Sequence, residues 1–526
     1  MQARQKFKAV HSGPLLRRCL LPYFAPRILR LPHAMRIHQM SAPNYSRVRI
    51  CSCKDVEHLY PLLQAFIQNP ARANIVTEVV IDTSDWRQAE WPPSYKDEVE
   101  ERTGYEELAD PLEVRLQRYA GRLDLDNKTS AQVIKSLDRK RREHALRIRN
   151  ESEFASALII LLFSLCENIS TLYLAECLYQ QPILDYLLRG NYGQMRNPPL
   201  QKLKNVRFIN SVWTDERVYG TIEILQYLQL VHRLPALETV TMDAIQSYQA
   251  DRTFFIPGTG NMKKMEITHC DIPGDFLALI ISIPKALEEF KLSIGGLWST
   301  DSGQPFVRPF HIGQALYAHR KSLRLLDIDL DMVVHDTSDL SWDTKDEENE
   351  KENESDWMVK YQYDQYGRDR IALDKDFGIK HERSDSKEYG RTIGSLHDFP
   401  HLTHLSISII TLLGSRDEWQ TPNRLLKPAP FRLIDGLPPS LEYLCIYGYV
   451  RGNNLDVDEQ IDELLARKDE KLSRLNVIKG VNEHIPSFRD IYGDEDEPGE
   501  NELYVKASLD LGWKLACESG EMVKVE

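Results

Sequence analysis

A short apolar pattern recurs along this chain and restricts the folds that it can adopt. The pattern is apolar-x-x-apolar-x-apolar. In an extended segment its last two apolar residues lie two positions apart and share one face. The first apolar residue lies on the turn that enters the strand. Ten segments carry the pattern: Val76/Val79/Ile81, Ile169/Leu172/Leu174, Leu203/Val206/Phe208, Leu237/Val240/Met242, Met262/Met265/Ile267, Leu287/Phe290/Leu292, Leu323/Leu326/Ile328, Leu402/Leu405/Ile407, Leu441/Leu444/Ile446 and Leu472/Leu475/Val477.

The spacing of these triplets indicates one strand and one helix per unit. Successive first positions are 93, 34, 34, 25, 25, 36, 79, 39 and 31 residues apart, and the two large gaps must hold insertions. Stretches with apolar helical faces lie between triplets, at 221–231, 275–283, 312–319 and 457–466. A single strand–helix unit cannot bury its own apolar face, whereas stacked neighbours can.

We therefore predict an α/β leucine-rich-repeat solenoid with irregular repeats. A curved parallel sheet would line its concave side, and helices would cover its convex side. The alternative is an ordinary α/β domain with a parallel sheet, since alternating strands and helices suit that fold too.

Several segments resemble the leucine-rich-repeat region of fungal F-box proteins. They are PALETVTMDA, ALEEFKLSIGGLW, KSLRLLDIDL, FPHLTHLSISI and LPPSLEYLCIYG, together with DVEHLYPLLQAFIQNPARANIVTEVVIDTSDW near the start. The resemblance covers roughly residues 45–525 and implies a repeat domain that recognises a substrate protein for a cullin-type ubiquitin ligase.

The F-box itself, a three-helix module that binds the ligase adaptor, is not recognisable here. Leu21-Pro22 and Leu31-Pro32 supply its opening dipeptide, but no run of three apolar-faced helices follows either one, and the first tryptophan is Trp86. We therefore expect no tight binding to the adaptor. A ligase substrate receptor with a degenerate F-box stays open as an alternative.

The pattern divides the chain into four parts. Residues 1–44 are a basic extension that we expect to be disordered, and residues 45–488 form the solenoid, with insertions at about 84–150 and 335–391. Residues 489–502 read as an acidic linker and 503–526 as a capping segment. The acid-rich stretch 343–356 has too few apolar residues to fold, and we interpret the basic run 139–142 as a solvated helix face.

Composition restricts the partners and the compartment. The chain has 526 residues, a net charge of −13 and a pI near 5.7, which disfavours nucleic acid as the partner. The longest apolar run, 155–166, is too short to cross a bilayer, which takes about 20 residues, and no membrane partner is expected. Eight scattered cysteines with no C-x-x-C indicate a reducing cytoplasmic or nuclear location. An acid-free, Arg-rich start leaves mitochondrial targeting as the alternative.

No set of residues in the sequence predicts catalysis, a cofactor or a metal. Gly258 and Gly260 lead into a strand instead of opening a helix, unlike a phosphate loop. For His401 and His404, no cysteine or acid pairing completes a set of metal ligands. Asp327 and Asp329 read as solvated acids on one strand face. We expect no enzymatic activity, although an α/β enzyme with an unrecognised site is a third alternative.

The predicted function is protein binding on the concave face, by side chains that the core does not use. The partner itself is not specified by the sequence. Tyr and Arg are the strongest candidates, because both are enriched at interface hot spots. The candidate residues are Tyr173, Arg207, Thr239, Glu266, Lys291, Asp327, Asp329, His404, Tyr443, Tyr447 and Arg474.

Overall fold

Eleven short strands form one parallel, unclosed sheet that runs through the chain. The computed structural model describes residues 45–82, 111–138, 147–175, 181–208, 219–222, 224–247, 256–295, 307, 309–331, 358–363, 369–373, 392–414, 424–425 and 428–487. The strands of the sheet, in spatial order, are β1 (Arg47–Ile50), β2 (Glu78–Ile81), β3 (Thr171–Leu174), β4 (Asn205–Phe208), β6 (Thr239–Asp243), β8 (Lys264–Cys270), β9 (Glu289–Ile294), β10 (Leu325–Asp329), β13 (His404–Ser408), β14 (Tyr443–Tyr447) and β15 (Val477–Lys479).

The same pair of backbone hydrogen bonds recurs at each of the ten steps across this sheet. Two consecutive N–H groups at the start of a strand donate to a single carbonyl just before the preceding strand, over 2.7–3.2 Å. The accepting carbonyls belong to Ser46, Thr77, Ser170, Lys204, Glu238, Lys263, Glu288, Arg324, Thr403 and Glu442. We call these the entry hydrogen bonds. Because they are the same at every step, the strands stay in one register across the two long gaps in sequence, before β3 and before β13.

That register places the predicted apolar residues on one face. Leu326, for example, lies between Phe290 and Leu405, and all three are fully buried. The sequence prediction of a continuous parallel sheet is therefore confirmed for the first nine triplet segments.

Helices cover the face that the apolar residues line, since both contribute to one core cluster. Within the gap between β2 and β3, Leu116, Ala120, Val133 and Leu137 are buried in the same core, so part of the expected 84–150 insertion belongs to it. The helices are α1 (Cys53–Gln68), α2 (Pro70–Ala73), α3 (Pro111–Ala120), α4 (Asn127–Ser136), α5 (Arg147–Leu165), α6 (Gln181–Asn191), α7 (Ile224–Gln229), α8 (Gly274–Ser282), α9 (Pro309–Tyr317), α10 (Ile409–Leu413), α11 (Leu433–Gly436) and α12 (Leu455–Lys471).

Two smaller sheets lie outside this ladder. β5 (Gly220–Ile222) pairs in parallel with β7 (Ile245–Ser247), so the helix expected from residue 221 begins only at Ile224. β11 (Met358–Tyr363) and β12 (Asp369–Leu373) form an antiparallel hairpin within the expected 335–391 insertion. The predictions for 1–44, 139–142, 343–356, 489–502 and 503–526 lie outside the described residues.

The last strand differs from its predicted register by three residues. Val477 pairs with Tyr443 and Ile478 with Leu444, so Leu475 takes the position of Leu441 before the strand. Leu472 is buried because it lies at the end of α12 and not because it leads into a strand. Its spacing to Leu475 and Val477 matches the triplet pattern, which led to the wrong register. Val477 is consequently 41% exposed.

A pair of truncations tests this register. Leu326→Ala should lower the free energy of unfolding by about 2–5 kcal/mol, because it leaves a cavity in a filled core. Val477→Ala should cost less than about 0.5 kcal/mol, as expected for an exposed side chain. Denaturant unfolding of both variants checks this, and equal losses would contradict the register at β15.

Candidate functional site

The sheet presents two rows of side chains on the face opposite to the core, which we call the polar face. The entry row holds the first residue of each strand: Arg47, Glu78, Thr171, Asn205, Thr239, Lys264, Glu289, Leu325, His404, Tyr443 and Val477. The middle row holds the residue between the two core positions: Arg49, Val80, Tyr173, Arg207, Thr241, Glu266, Lys291, Asp327, Ser406, Cys445 and Lys479.

Most of the predicted binding residues fall on these rows. Tyr173, Arg207, Glu266, Lys291 and Asp327 share the middle row, and Thr239, His404 and Tyr443 share the entry row. Asp329 and Tyr447 end their strands one position beyond the third core residue.

Arg474 does not lie on the polar face, so its predicted position there is wrong. It lies exposed in the turn between α12 and β15, because the predicted triplet was displaced by three residues. The residue that β15 contributes to the middle row is Lys479.

Tyr173 packs between two arginines on the polar face. The guanidinium carbons of Arg47 and Arg207 each lie 5.8 Å from its ring centroid, within range of a cation–π contact. The ring also contacts a small apolar cluster that includes Cys51 and Val80, and only 7% of Tyr173 is exposed. The main role of the Tyr173 ring is therefore to orient the two arginines, since little of the ring is accessible to a partner.

Cross-strand ion pairs neutralise most charges of the two rows. Arg47 pairs with Glu78 at 2.6 Å and Lys264 with Glu289 at 2.6 Å, both between neighbouring strands. In the middle row, Nζ of Lys291 lies 3.7 Å from the Glu266 carboxylate, and the two side chains are 46% and 41% exposed. Such exposed ion pairs contribute little to the stability of the fold, but they determine the pattern of charge on the polar face.

Asp327 and Tyr447 form a hydrogen bond that spans the sheet surface from β10 to β14. The Tyr447 hydroxyl donates to Oδ1 of Asp327 over 2.9 Å, across 120 residues of sequence. Burial raises the pKa of Asp327, and burial together with the Asp327 charge raises the pKa of Tyr447. The phenol therefore stays protonated and remains a donor to the carboxylate.

On the adjacent strands β13 and β14, the rings of His404 and Tyr443 stack nearly parallel. Their ring centroids are 5.8 Å apart with an interplanar angle of 23°. His404 is exposed and Tyr443 half-buried, so this aromatic pair is accessible from solvent. The β10–β14 end of the face thus combines an acid with three ring side chains.

The expectation that Asp329 is solvated is wrong. Asp329 is only 5% exposed, and its Oδ1 accepts the backbone N–H of Asp331 at 3.1 Å. It stabilises the turn that follows β10, so we assign it a structural role. The alternation of side chains along a strand predicted the face of Asp329, but not its hydrogen bond to the following turn.

Sequence reasoning missed Arg47 and Arg49 on the polar face because it missed β1. Tyr45, Val48 and Ile50 carry the same apolar spacing as the ten triplets and were the available signal. Arg49 lies 3.6 Å from Asp55 at the start of α1.

The described residues contain no group of three or more His, Cys, Asp or Glu side chains placed to hold a metal ion. Cys51, Cys166, Cys270 and Cys445 are buried thiols without a disulfide partner. Within the described ranges, none of the helices has the length and hydropathy needed to cross a membrane. Comparisons with protein-family models, curated proteins and solved structures found no match to this chain.

A double-mutant cycle tests the Asp327–Tyr447 contact. Tyr447→Phe and Asp327→Ala should show a coupling of about 1–2 kcal/mol in unfolding free energy, because a hydrogen bond to a charged group joins them. The cycle of Tyr443→Phe with Asp327→Ala should give a coupling near zero. Equal coupling in the two cycles would show that the contact is not specific.

Proposed function

We propose that this chain is a non-enzymatic protein-binding scaffold of the leucine-rich-repeat type, with its partner bound on the polar face. The observation that carries the proposal is the polar face itself. Two rows of chemically varied side chains run across eleven parallel strands, and the core does not require them. Elongated sheets of this kind offer binding surfaces that single globular domains lack.

The chemistry of the polar face supports a protein partner. Arg207, Tyr443 and Tyr447 are of the residue types enriched at interface hot spots, and Tyr447 is held in place by Asp327. The paired charges around them suit a rim that selects a partner by complementarity. In this proposal the sheet curves so that the polar face is concave, with the helices on the convex side.

The resemblance of the repeat segments to those of F-box proteins supports a role in recognising a substrate protein. Residues 1–44, where an adaptor-binding module would stand, lie outside the described residues. The resemblance rests on the repeat segments, so we propose a stand-alone binder related to those receptors.

Affinity purification of the full-length chain with mass spectrometry tests the proposal. We compare the native chain with a polar-face variant, His404→Glu with Tyr443→Ala, and with a matched variant on the helical side, Asp469→Ala with Glu470→Ala. The helical-side variant should retain the partners of the native chain, and the polar-face variant should lose them. Only the polar-face variant alters the proposed binding surface.

Two outcomes would overturn parts of this proposal. Partners that survive the polar-face change but disappear with the helical-side change would place binding on the other side. Stoichiometric recovery of the ligase adaptor with all three proteins would replace the stand-alone binder by a ligase substrate receptor.

A further inference from the structure

Between β4 and β10, two opposite charges on the middle row form no ion pair with a described residue. From β4 to β10 the row reads Arg207, Thr241, Glu266, Lys291 and Asp327. Glu266 and Lys291 pair with each other, and Thr241 is neutral. A cation therefore remains at one end of this stretch and a carboxylate at the other.

Arg207 supplies the cation. In the part of the chain that the structure describes, Arg207 takes part in no ion pair, and its guanidinium contacts the Tyr173 ring. Arg47 approaches the same ring but is already paired with Glu78. Arg207 is half-buried, so its guanidinium is oriented by the aromatic ring and still reachable. Such a group binds carboxylates in a fixed geometry.

Asp327 supplies the carboxylate. Among the described residues only Tyr447 donates a hydrogen bond to it, and that bond occupies Oδ1. Lys291 lies opposite on β9 and attracts this carboxylate, but its ammonium group forms its ion pair with Glu266 on the far side. The carboxylate is flanked by Tyr447 and lies near the stacked rings of His404 and Tyr443, a setting that also favours a cationic side chain.

The spacing between the two charges follows from the sheet. Arg207 and Asp327 share one row and are separated by four strand spacings of about 4.8 Å, or about 19 Å. An extended peptide advances about 3.3 Å per residue, so about six residues cover that distance.

We propose that the polar face binds an extended peptide segment that carries an acidic and a basic side chain about six residues apart, the acid on Arg207 and the base on Asp327. The inference rests on the proposed function and specifies the chemistry of its partner. The neutral stretch between the two sites accommodates small polar residues. The two charged contacts fix the direction in which the segment lies on the sheet.

Selection from a phage-displayed library of random dodecapeptides tests this inference. The full-length chain is compared with Arg207→Gln, with Asp327→Asn, which keeps an acceptor for Tyr447, and with the matched control Arg474→Gln. Peptides enriched on the native chain and on the control should carry an acid and a base about six residues apart. Arg207→Gln should remove the preference for the acid alone, and Asp327→Asn the preference for the base alone.

The best native-selected peptide is then synthesised with its acid changed to the amide, or its arginine to citrulline. Each change should weaken binding to the native chain about two- to fivefold, as expected for an ion pair that solvent still partly reaches. The acid change should have no effect on Arg207→Gln, and the arginine change none on Asp327→Asn.

The inference would be overturned if the same peptides were enriched on the native chain and on both substituted chains, or if no peptide were enriched at all. Loss of the purified partners from the His404→Glu, Tyr443→Ala variant would then still support binding of a folded protein on the polar face. If that variant also keeps its partners, the proposed function fails together with the peptide inference.

Discussion

The entry hydrogen bonds between neighbouring strands determine the register on which both faces of this sheet depend. At every step two N–H groups share one carbonyl of the preceding strand, including the steps that follow the long gaps before β3 and β13. Because side chains alternate along a strand, a shift of one residue at any step would exchange core and surface positions. Burial of the apolar row, including Leu326, opposes such a shift, so packing and hydrogen bonding support the same register.

The polar face follows from that register. Residues distant in sequence become neighbours: Arg47 and Arg207 meet over Tyr173, and Tyr447 reaches Asp327 across 120 residues. Most charges find a partner on the next strand, which limits the electrostatic cost of bringing them together. Between β4 and β10, Arg207 and Asp327 form no ion pair with a described residue, so a partner molecule gains most from contact with these two charges.

The sequence predicted the elements of this fold that depend on local spacing. Nine of the ten triplets located their strands correctly, and the alternation of side chains placed Tyr173, Arg207 and Asp327 on the face away from the core. Errors arose where an apolar residue served another element, as Leu472 does at the end of α12, or where the pattern was overlooked, as at Tyr45. The burial of Tyr173 and Asp329 could not be predicted, because it depends on β1 and on a turn whose positions are set by tertiary contacts.

Native-state hydrogen exchange of backbone amides tests the continuous ladder most directly. The segments 325–329 and 404–408 lie on either side of a long gap in sequence, yet they form adjacent strands joined by hydrogen bonds. Their amides should open together with one free energy that changes in parallel with denaturant, because neither strand can lose its partner alone. Exchange of the two segments with separate free energies would contradict a single sheet and the polar face built on it.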